Sequence, residues 1–196
     1  MSASNTQSPY KIQYTGPLSP EFALLGLLAI KPTHGYNLYQ RLITDLGQVW
    51  HISLSQTYNI LNRLEAQGFI IGLQQDQAKR PARRQFQLTP AGLQRFQEWL
   101  SMPSYNSVRA IRVEFTSRLY FASLLNPPAG HQLIDAQIVE TRAGIKRLEA
   151  VLDDLPTTQI FNRLGLELRL SQLNSILAWL DGCHRAVDNM NANPHL

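Results

Sequence analysis

A stretch of polar side chains between residues 53 and 67 has the spacing and the chemistry to contact the edges of nucleic-acid bases. At about 100° per residue, as in an α-helix, its polar side holds hydroxyl, amide and guanidinium groups and no carboxylate, at Ser55, Gln56, Asn59, Asn62 and Arg63. Asn and Gln can pair with adenine, and Arg with guanine, through two hydrogen bonds in the major groove of DNA. Solvated helix faces are usually rich in Glu and Lys, so this face favours DNA, with a plain solvated face as the alternative.

The other side of this predicted helix is apolar and is expected to pack against a core. It carries Leu54, Thr57, Tyr58, Ile60, Leu61 and Leu64, and Glu65 also falls on the inward-facing side. Ser53 and Gln56 have the spacing of a capping box at its start, and Gly68 is suited to end it. Tyr58 lies at the edge of the apolar side, where its hydroxyl could reach a phosphate while its ring packs. A tyrosine in this place is more often simply core.

A cluster of basic residues follows at the tip of a predicted β-hairpin. Four of the six residues from Lys79 to Arg84 are basic. Long cationic side chains at a tip can contact phosphates or enter the minor groove, whereas the alternative is a turn that basic residues merely keep soluble. Helix and tip together predict DNA contacts at Ser53, Ser55, Gln56, Tyr58, Asn59, Asn62, Arg63, Lys79, Arg80 and Arg83.

The net charge of +4 is concentrated in the first half of the chain. Residues 1–100 contain nine Lys and Arg and five Asp and Glu, whereas residues 101–196 contain nine of each. A local basic excess is typical of a module that binds a polyanion. An excess this small is also compatible with ordinary surface charge.

Composition excludes several classes of protein. Of the 196 residues, 44% are hydrophobic and 16% are charged, which indicates a folded chain rather than a disordered one. The longest apolar run, Phe22–Ile30, is too short to cross a bilayer, and the polar stretch 1–19 lacks the apolar region of a signal peptide. The single Cys183 allows neither a disulfide within the chain nor a cysteine-based zinc site. We therefore expect a cytoplasmic protein without a membrane span.

Catalytic chemistry finds little support in the sequence. The histidines are scattered, at His34, His51, His131, His184 and His195. Motifs for a zinc protease, a phosphate-binding loop or a nucleophile elbow are absent from the sequence. Cys183 and His184 are neighbours on a predicted helix and point in different directions, so a core thiol and a seam histidine are the expected roles. We expect no enzyme activity, no cofactor and no metal.

The elements around the polar helix face predict a winged helix-turn-helix. Four helices are expected, at 22–30, 35–46, 53–67 and from Pro90 onwards, the first capped by Ser19 with Pro20 in its first turn and the last capped by Thr89. Two strands, at 69–74 and 83–88, flank a polar loop at 75–82. Three helices followed by a β-hairpin are the order of a winged helix-turn-helix. The predicted fold is mainly α with a small β-hairpin.

The second half of the chain contains two heptad seams, in which apolar positions alternate at intervals of four and three residues. The first comprises Ile134, Ile138, Thr141, Ile145, Leu148, Leu152 and Leu155, and the second comprises Leu166, Leu170, Leu173, Leu177, Leu180, His184 and Val187. They predict two long helices with coiled-coil-like packing, and their residues are the predicted dimer contacts. Further apolar residues widen the stripe of the last helix, at Ile160, Phe161, Leu164, Leu168, Ile176 and Trp179. This surplus favours a second copy as partner, with a self-contained helical bundle as the alternative.

These patterns divide the chain into three parts. Residues 1–19 read as a loose tail, 20–102 as the winged helix and 105–190 as a helical dimerisation domain.

Four motifs resemble those of the PadR-type transcriptional regulators and occur in the same order. They are Leu24–Ala29, His34–Leu38, Tyr58–Ile70 and Pro81–Gly92. The stretch Gln48–Ser53 resembles the AphA-like branch of this family, which has a long helical C-terminal domain. The resemblance implies a bacterial homodimer that binds operators through its third helix and its wing, with Tyr58 near the DNA backbone.

The resemblance also implies a small aromatic effector as a further partner, because some relatives bind aromatic compounds at the dimer interface. Phe161 and Trp179 could line such a cavity, but aromatic residues at helical spacing are usually core. The function predicted from the sequence is a repressor that binds double-stranded DNA as a homodimer at an inverted repeat. The alternative is a winged-helix module that binds a protein partner.

Overall fold

The first half of the chain folds into three helices, a β-hairpin and a fourth helix, in the predicted order. The computed structural model describes residues 19–77, 80–102, 104 and 106–192, and only the backbone of residues 75–77, 80–83, 191 and 192 within these ranges. The elements of this half are α1 (Glu21–Ile30), β1 (Thr33–His34), α2 (Gly35–Leu46), α3 (Leu54–Ala66), β2 (Ile70–Gln77), β3 (Arg80–Leu88) and α4 (Pro90–Ser101).

Local hydrogen bonds set the starts of α3 and α4 as predicted. The Ser53 hydroxyl accepts from the Gln56 backbone N–H at 3.2 Å, and the Gln56 side chain accepts from the Ser53 N–H at 2.8 Å, which completes the capping box of α3. Gly68 follows α3 at a φ of 76°, where a side chain would be strained. The Thr89 hydroxyl accepts from the Gly92 N–H at 3.1 Å and caps α4. At α1, Pro20 takes the capping position rather than the first helical one.

The β-sheet is larger than the sequence predicts. A short strand, β1, pairs with β3 opposite Gln85 and Phe86, so the strand order is β1-β3-β2. The predicted loop at 75–82 is wrong, because β2 and β3 continue their antiparallel ladder as far as the pair Gln77 and Arg80, with an irregularity at 75–77. Backbone hydrogen bonds hold this ladder, so it extends without the apolar alternation that marks a half-buried strand. Pro81 is tolerated because β1 does not reach it, which leaves β3 an edge strand there.

The core of this half also takes in a helix from the second half. Helix α1 is buried along most of its length, and α2, α3, β3 and α4 contribute Leu42, Leu61, Phe86 and Phe96. Phe121 from beyond α4 is fully buried in the same core, edge-on to Phe96 at 5.5 Å between ring centroids. Gly26 of α1 lies directly beneath that ring, and a Cβ there would be 2.5 Å from Phe121 Cζ. The absence of a side chain at Gly26 therefore lets the second half dock.

All the secondary-structure elements in the described residues of the second half are helical. It consists of α5 (Val108–Ala110), a π-helical turn (Ile111–Phe115), α6 (Thr116–Leu125), α7 (Pro127–Asp154) and α8 (Ile160–Ala192). Helices α7 and α8 form an antiparallel hairpin. A second core at one end of this hairpin combines Ile111 and Phe115 of the π turn with Ile134, Ile138, Leu180, Cys183 and Val187. The predicted core position of Cys183 is confirmed.

The two heptad seams meet within one chain. In α7, Ile134, Ile138, Thr141 and Ile145 are buried, and in α8 so are Leu173, Leu180 and Val187. The remaining members are half-buried, namely Leu148, Leu152, Leu155, Leu166, Leu170, Leu177 and His184. The seams thus satisfy each other, which was one of the two arrangements that the sequence left open. The seam residues as dimer contacts stay a prediction.

Polar groups cross-link both ends of the hairpin. His131 of α7 and His184 of α8 lie 2.8 Å apart between their Nδ1 atoms, and their rings are nearly parallel. The Nε2 atom of each faces a carboxylate of the opposite helix at 3.1 Å, Asp188 for His131 and Asp135 for His184. At the other end, the Arg163 guanidinium donates to the backbone oxygens of residues 152 and 155 at 3.0 Å.

None of the helices in the described part of the chain is long and apolar enough to cross a membrane.

Candidate nucleic-acid interface

The polar face of α3 is exposed, and its apolar face is buried. Ser55, Gln56, Asn59, Asn62 and Arg63 are open to solvent. Thr57, Ile60, Leu61 and Leu64 are buried. The two-sided helix predicted from the sequence is therefore confirmed, and its exposed side offers amides and hydroxyls without a carboxylate.

The members of this face are not equally free to bind. The Gln56 side-chain oxygen is already used by the capping box, together with the Ser53 hydroxyl. An amide needs both its oxygen and its nitrogen to pair with adenine, so Gln56 cannot do so while it caps the helix. Asn59 and Asn62 are the amides whose geometry leaves such a pairing open.

The carboxylate of α3 is turned away from this face and towards the wing. Glu65 accepts from the Gly72 N–H at 2.9 Å and from the Arg84 guanidinium at 2.6 Å. Arg84 also lies over the Phe86 ring, 5.4 Å from its centroid. A Cβ at Gly72 would be 2.3 Å from Arg84 Nε, so only glycine leaves room for this guanidinium. The one acid of α3 is thus neutralised, and it joins the helix to the hairpin.

Arg63 is engaged within the protein. Its guanidinium donates to Glu21 Oε2 at 3.0 Å, and the other oxygen of Glu21 accepts from Arg95 at 2.7 Å. Arg95 lies between the rings of Phe22 and Phe69, at 5.2 and 4.8 Å from their centroids. Arg63 must leave Glu21 to reach a base, and Glu21 would then keep Arg95 as its partner. No local pattern in the sequence indicates this cluster of ion pairs, since its members are far apart along the chain.

Tyr58 combines a packed ring with partial exposure to solvent. The residue is 39% exposed. Its ring lies against Gly35 at the start of α2, where a Cβ would be 2.7 Å from Tyr58 Cε1. This is the edge position predicted from the sequence, and a purely core role for Tyr58 is wrong.

The basic residues of the wing can be placed only in part. The backbones of Arg80 and Arg83 belong to β3, but their side chains and the whole of Lys79 lie outside the described residues. Their contacts with DNA stay predictions. The backbones of Arg80 and Arg83 continue the β2–β3 ladder past Arg84, whose guanidinium pairs with Glu65 at 2.6 Å.

A second exposed surface lies on α8. Ile160, Phe161, Leu164 and Leu168 form an apolar stripe on the side of α8 away from α7, and Phe161 is 88% exposed. Trp179 is 45% exposed further along the helix and lies edge-on to Phe115. Five of the six residues of the surplus apolar stripe predicted from the sequence are therefore at the surface, whereas Ile176 packs against the second core. The expectation that Phe161 and Trp179 are core residues is wrong for the single chain, because α7 covers only the seam side of α8.

Reactive and metal-binding groups are sparse in the part of the chain that the structure describes. Burial raises the pKa of the Cys183 thiol to about 11, which leaves little thiolate at neutral pH. The described residues contain no group of three or more His, Cys, Asp or Glu side chains that could hold a metal ion. A small cavity of about 180 Å³ lies in the winged helix between Leu27, Lys31, Thr33, Asn37, Leu38 and Arg41. It is remote in sequence from Phe161 and Trp179, and the small aromatic effector stays a prediction.

Each half of the molecule matches a known protein family. Residues 24–98 match the PadR-like family of transcriptional regulators, and residues 111–188 match the C-terminal domain of the virulence activator alpha type. The negative transcriptional regulator PadR of Bacillus subtilis (strain 168) is 27% identical over 177 residues, which cover 86% of this chain and 97% of that protein.

Solved structures of two such regulators align with most of the chain. The crystal structure of Bacillus subtilis PadR in complex with operator DNA aligns at 25% identity with a TM-score of 0.41, over 83% of this chain and 94% of that one. The virulence activator AphA of Vibrio cholerae aligns at 20% identity with a TM-score of 0.39, over 89% of this chain and 99% of that one. By these family matches, the chain combines a domain of the PadR-like transcriptional regulator type at residues 24–98 with a C-terminal domain of the virulence activator alpha type at residues 111–188.

Proposed function

We propose that this chain represses transcription as a homodimer bound to an inverted repeat in double-stranded DNA. The observation that carries this proposal is the exposed face of α3, where Asn59 and Asn62 stand free beside Ser55 and the one acid of the helix is tied to the wing. Such a face can enter the major groove without repelling phosphates. The repressor role is supported by the relative in Bacillus subtilis, which is named a negative regulator.

We assign separate roles to the residues of this surface. Ser55, Asn59 and Asn62 contact base edges, and Arg63 joins them after it leaves Glu21. Gln56 contacts DNA through its amide nitrogen alone, because its oxygen caps the helix. Ser53 and Tyr58 contact the backbone next to the groove, and Lys79, Arg80 and Arg83 contact phosphates from the wing. Base contacts carry specificity, whereas phosphate contacts carry affinity that falls as salt rises.

The dimer is proposed to form through the helical domain at 105–190, with the winged helix at 20–102 and the tail at 1–19 left outside it. Since the seams of α7 and α8 already pack against each other, the stripe at Ile160, Phe161, Leu164 and Leu168 is the surface that a second copy would cover. Closed two-fold dimers bury the same patch on both subunits, so their two α3 helices are related by the same axis. An inverted repeat in the DNA follows from this symmetry.

Binding to DNA is tested with the full chain and with duplexes that it selects from a random-sequence library. Asn59→Ala and Asn62→Ala should each weaken binding to the selected duplex by about 1–3 kcal/mol and leave binding to random duplex nearly unchanged. Gln97→Ala, at an exposed position of α4, is the matched control and should change neither the affinity for the selected duplex nor that for random duplex. A chain that binds no duplex even at low salt would contradict the proposal and favour the protein-binding alternative.

The dimer is tested by sedimentation of the full chain at micromolar concentration. The double variant Phe161→Glu and Leu168→Glu should sediment as a monomer, because two carboxylates would be buried against an apolar surface. Leu93→Glu introduces a carboxylate at an exposed apolar position of α4 and should leave the dimer intact. A wild-type chain that sediments as a monomer would contradict the dimer but not the DNA contacts of a single winged helix.

A further inference from the structure

One helical segment belongs to both cores of the molecule. The run from α5 through the π turn to α6 places Ile111 and Phe115 in the core of the α7–α8 hairpin. The same run places Val113 and Phe121 in the core of the winged helix. The orientation of the winged helix relative to the hairpin therefore depends on how α6 is held.

A buried hydrogen bond ties α6 to the connector that leads into α3. Trp50 lies three residues before the Ser53 cap, and its indole N–H donates to the Ser117 hydroxyl of α6 at 2.8 Å. Ser117 in turn donates to the backbone oxygen of Val113 at 2.7 Å, in the middle of the π turn. Trp50 and Ser117 are both buried, and a buried indole N–H needs a partner. This bond fixes the start of α3 relative to the second half.

A second contact holds α6 to the end of α2, just before the same connector. The Tyr120 hydroxyl donates to the Asp45 carboxylate, which also accepts from Arg41 at 3.2 Å. Burial, together with Asp45, raises the pKa of Tyr120 to about 12. The phenol thus stays protonated and keeps donating at neutral pH. Helix α6 therefore holds the connector between α2 and α3 at two points. One is Trp50 within the connector, and the other is Asp45 at the end of α2.

We propose that Ser117 and Trp50 are positioning residues for DNA recognition, which set the angle between α3 and the dimerising hairpin. This inference rests on the proposed function. In a dimer joined through α8, the separation of the two α3 helices depends on this angle in each subunit. Neither residue contacts DNA in this role, and a single winged helix would bind one half-site equally well without their hydrogen bond.

The test uses three duplexes derived from the sequence that the wild-type chain selects. The first contains both half-sites, the second contains one half-site with the other randomised, and the third has one base pair inserted between the half-sites. The insertion moves one half-site by about 3.4 Å and turns it by about 35° around the axis. A dimer with rigidly positioned helices should lose about tenfold in affinity on the third duplex.

Ser117→Ala is expected to bind the two-site duplex about fivefold more weakly and the half-site duplex within twofold of wild type. The decisive readout is the penalty for the inserted base pair, which should fall from about tenfold to about twofold because the loosened α3 can follow the displaced half-site. Trp50→Phe keeps most of the ring packing but removes the indole N–H, so it should behave like Ser117→Ala on all three duplexes. The double variant should be no worse than either single one, since both remove the same bond.

Ser123→Ala is the matched control. Ser123 is also a buried serine of α6, but its hydroxyl has no hydrogen-bond partner, so its removal should leave all three affinities unchanged. If Ser117→Ala lost affinity on the two-site and half-site duplexes in parallel, or kept the full insertion penalty, the positioning role would be overturned. If the wild-type chain selected no duplex, the proposed function itself would fail, and the two failures are thus distinguishable.

Discussion

The exposed face of α3 and the exposed stripe of α8 differ in how they interact with water. Ser55, Asn59 and Asn62 can hydrogen-bond to water until they meet a ligand, so their exposure has little cost. By contrast, Phe161 and Leu168 expose apolar surface. Removing such surface from water is favourable by about 25 cal/mol for each Å². The polar face can therefore release its partner and rebind it, whereas the apolar stripe is stabilised only when it stays covered. We expect a permanent dimer that binds DNA reversibly.

The largest expected effect compares a covered phenylalanine with an uncovered one. Phe121→Ala should lower the free energy of unfolding by about 3–5 kcal/mol, because it empties a fully buried site shared by both halves. Phe161→Ala should change the stability of the isolated chain by less than about 0.5 kcal/mol. Urea unfolding followed by circular dichroism measures both.

The same measurement repeated over a range of protein concentrations sharpens the comparison. The unfolding midpoint of a dimer rises with concentration, and Phe161→Ala should flatten that dependence while Phe121→Ala preserves it. Equal losses of stability in the two variants at low concentration would show that Phe161 is covered within one chain.

The ion pairs beneath the α3 face should give an intermediate effect. Glu21→Gln is expected to lower the free energy of unfolding by about 1–3 kcal/mol, because two guanidinium groups lose charge-assisted hydrogen bonds at once. Arg63→Ala should cost less than about 1 kcal/mol in stability, since Glu21 keeps Arg95 and Arg63 is half exposed. Thermal melts of the two variants provide the measurement, and a larger loss for Arg63→Ala would mean that Arg63 is structural rather than available to DNA.

The ion pair between Glu65 of α3 and Arg84 of the wing should give a smaller effect on stability. Glu65→Gln replaces the ion pair with Arg84 by a neutral contact and is expected to cost about 1 kcal/mol in stability. Glu98→Gln, an exposed acid on α4, serves as the control and should cost less than about 0.5 kcal/mol. Chemical denaturation would contradict the assignment if the two losses were equal.

The smallest effect compares a covered position of α8 with an uncovered one and is measured by thiol labelling. The pKa of Cys183 is raised to about 11 by burial, so at pH 8 only about one thiol in a thousand is ionised. Iodoacetamide should therefore react with Cys183 about a hundredfold more slowly than with an ordinary exposed thiol, and the rate should rise with pH up to about 11. A cysteine introduced by Gln172→Cys, at an exposed position of α8, is the reference. Equal rates would show that the core containing Ile111 and Phe115 does not cover Cys183.

The elements that could be predicted from the sequence are those set by neighbours in the chain. The capping box of α3 depends on Ser53 and Gln56, three residues apart, and Thr89 with Pro90 marks the start of α4 in the same way. The separation of buried and exposed residues on α3 follows from helical periodicity alone. Heptad spacing likewise predicted the two long helices, but it left open whether their seams meet within one chain.

The features that escaped prediction depend on contacts between distant residues. Glu21 meets Arg63 and Arg95, and Trp50 meets Ser117, across 42 to 74 residues of chain, and no local pattern marks such pairs. The extension of β2 and β3 was missed because backbone pairing does not require apolar residues. Phe161 was assigned to a core because periodicity shows which residues share a face and not whether a neighbour covers that face.

The π-helical turn at Ile111–Phe115 makes the length of this segment as important as its composition. Removing or adding one residue in a helix rotates everything beyond it by about 100°. A single deletion between Ile111 and Ser117 would keep the hairpin core on one side and turn Ser117 and Phe121 away from Trp50 and Gly26. Relatives of this protein should therefore vary in residue type along the segment but keep the number of residues between the two cores constant.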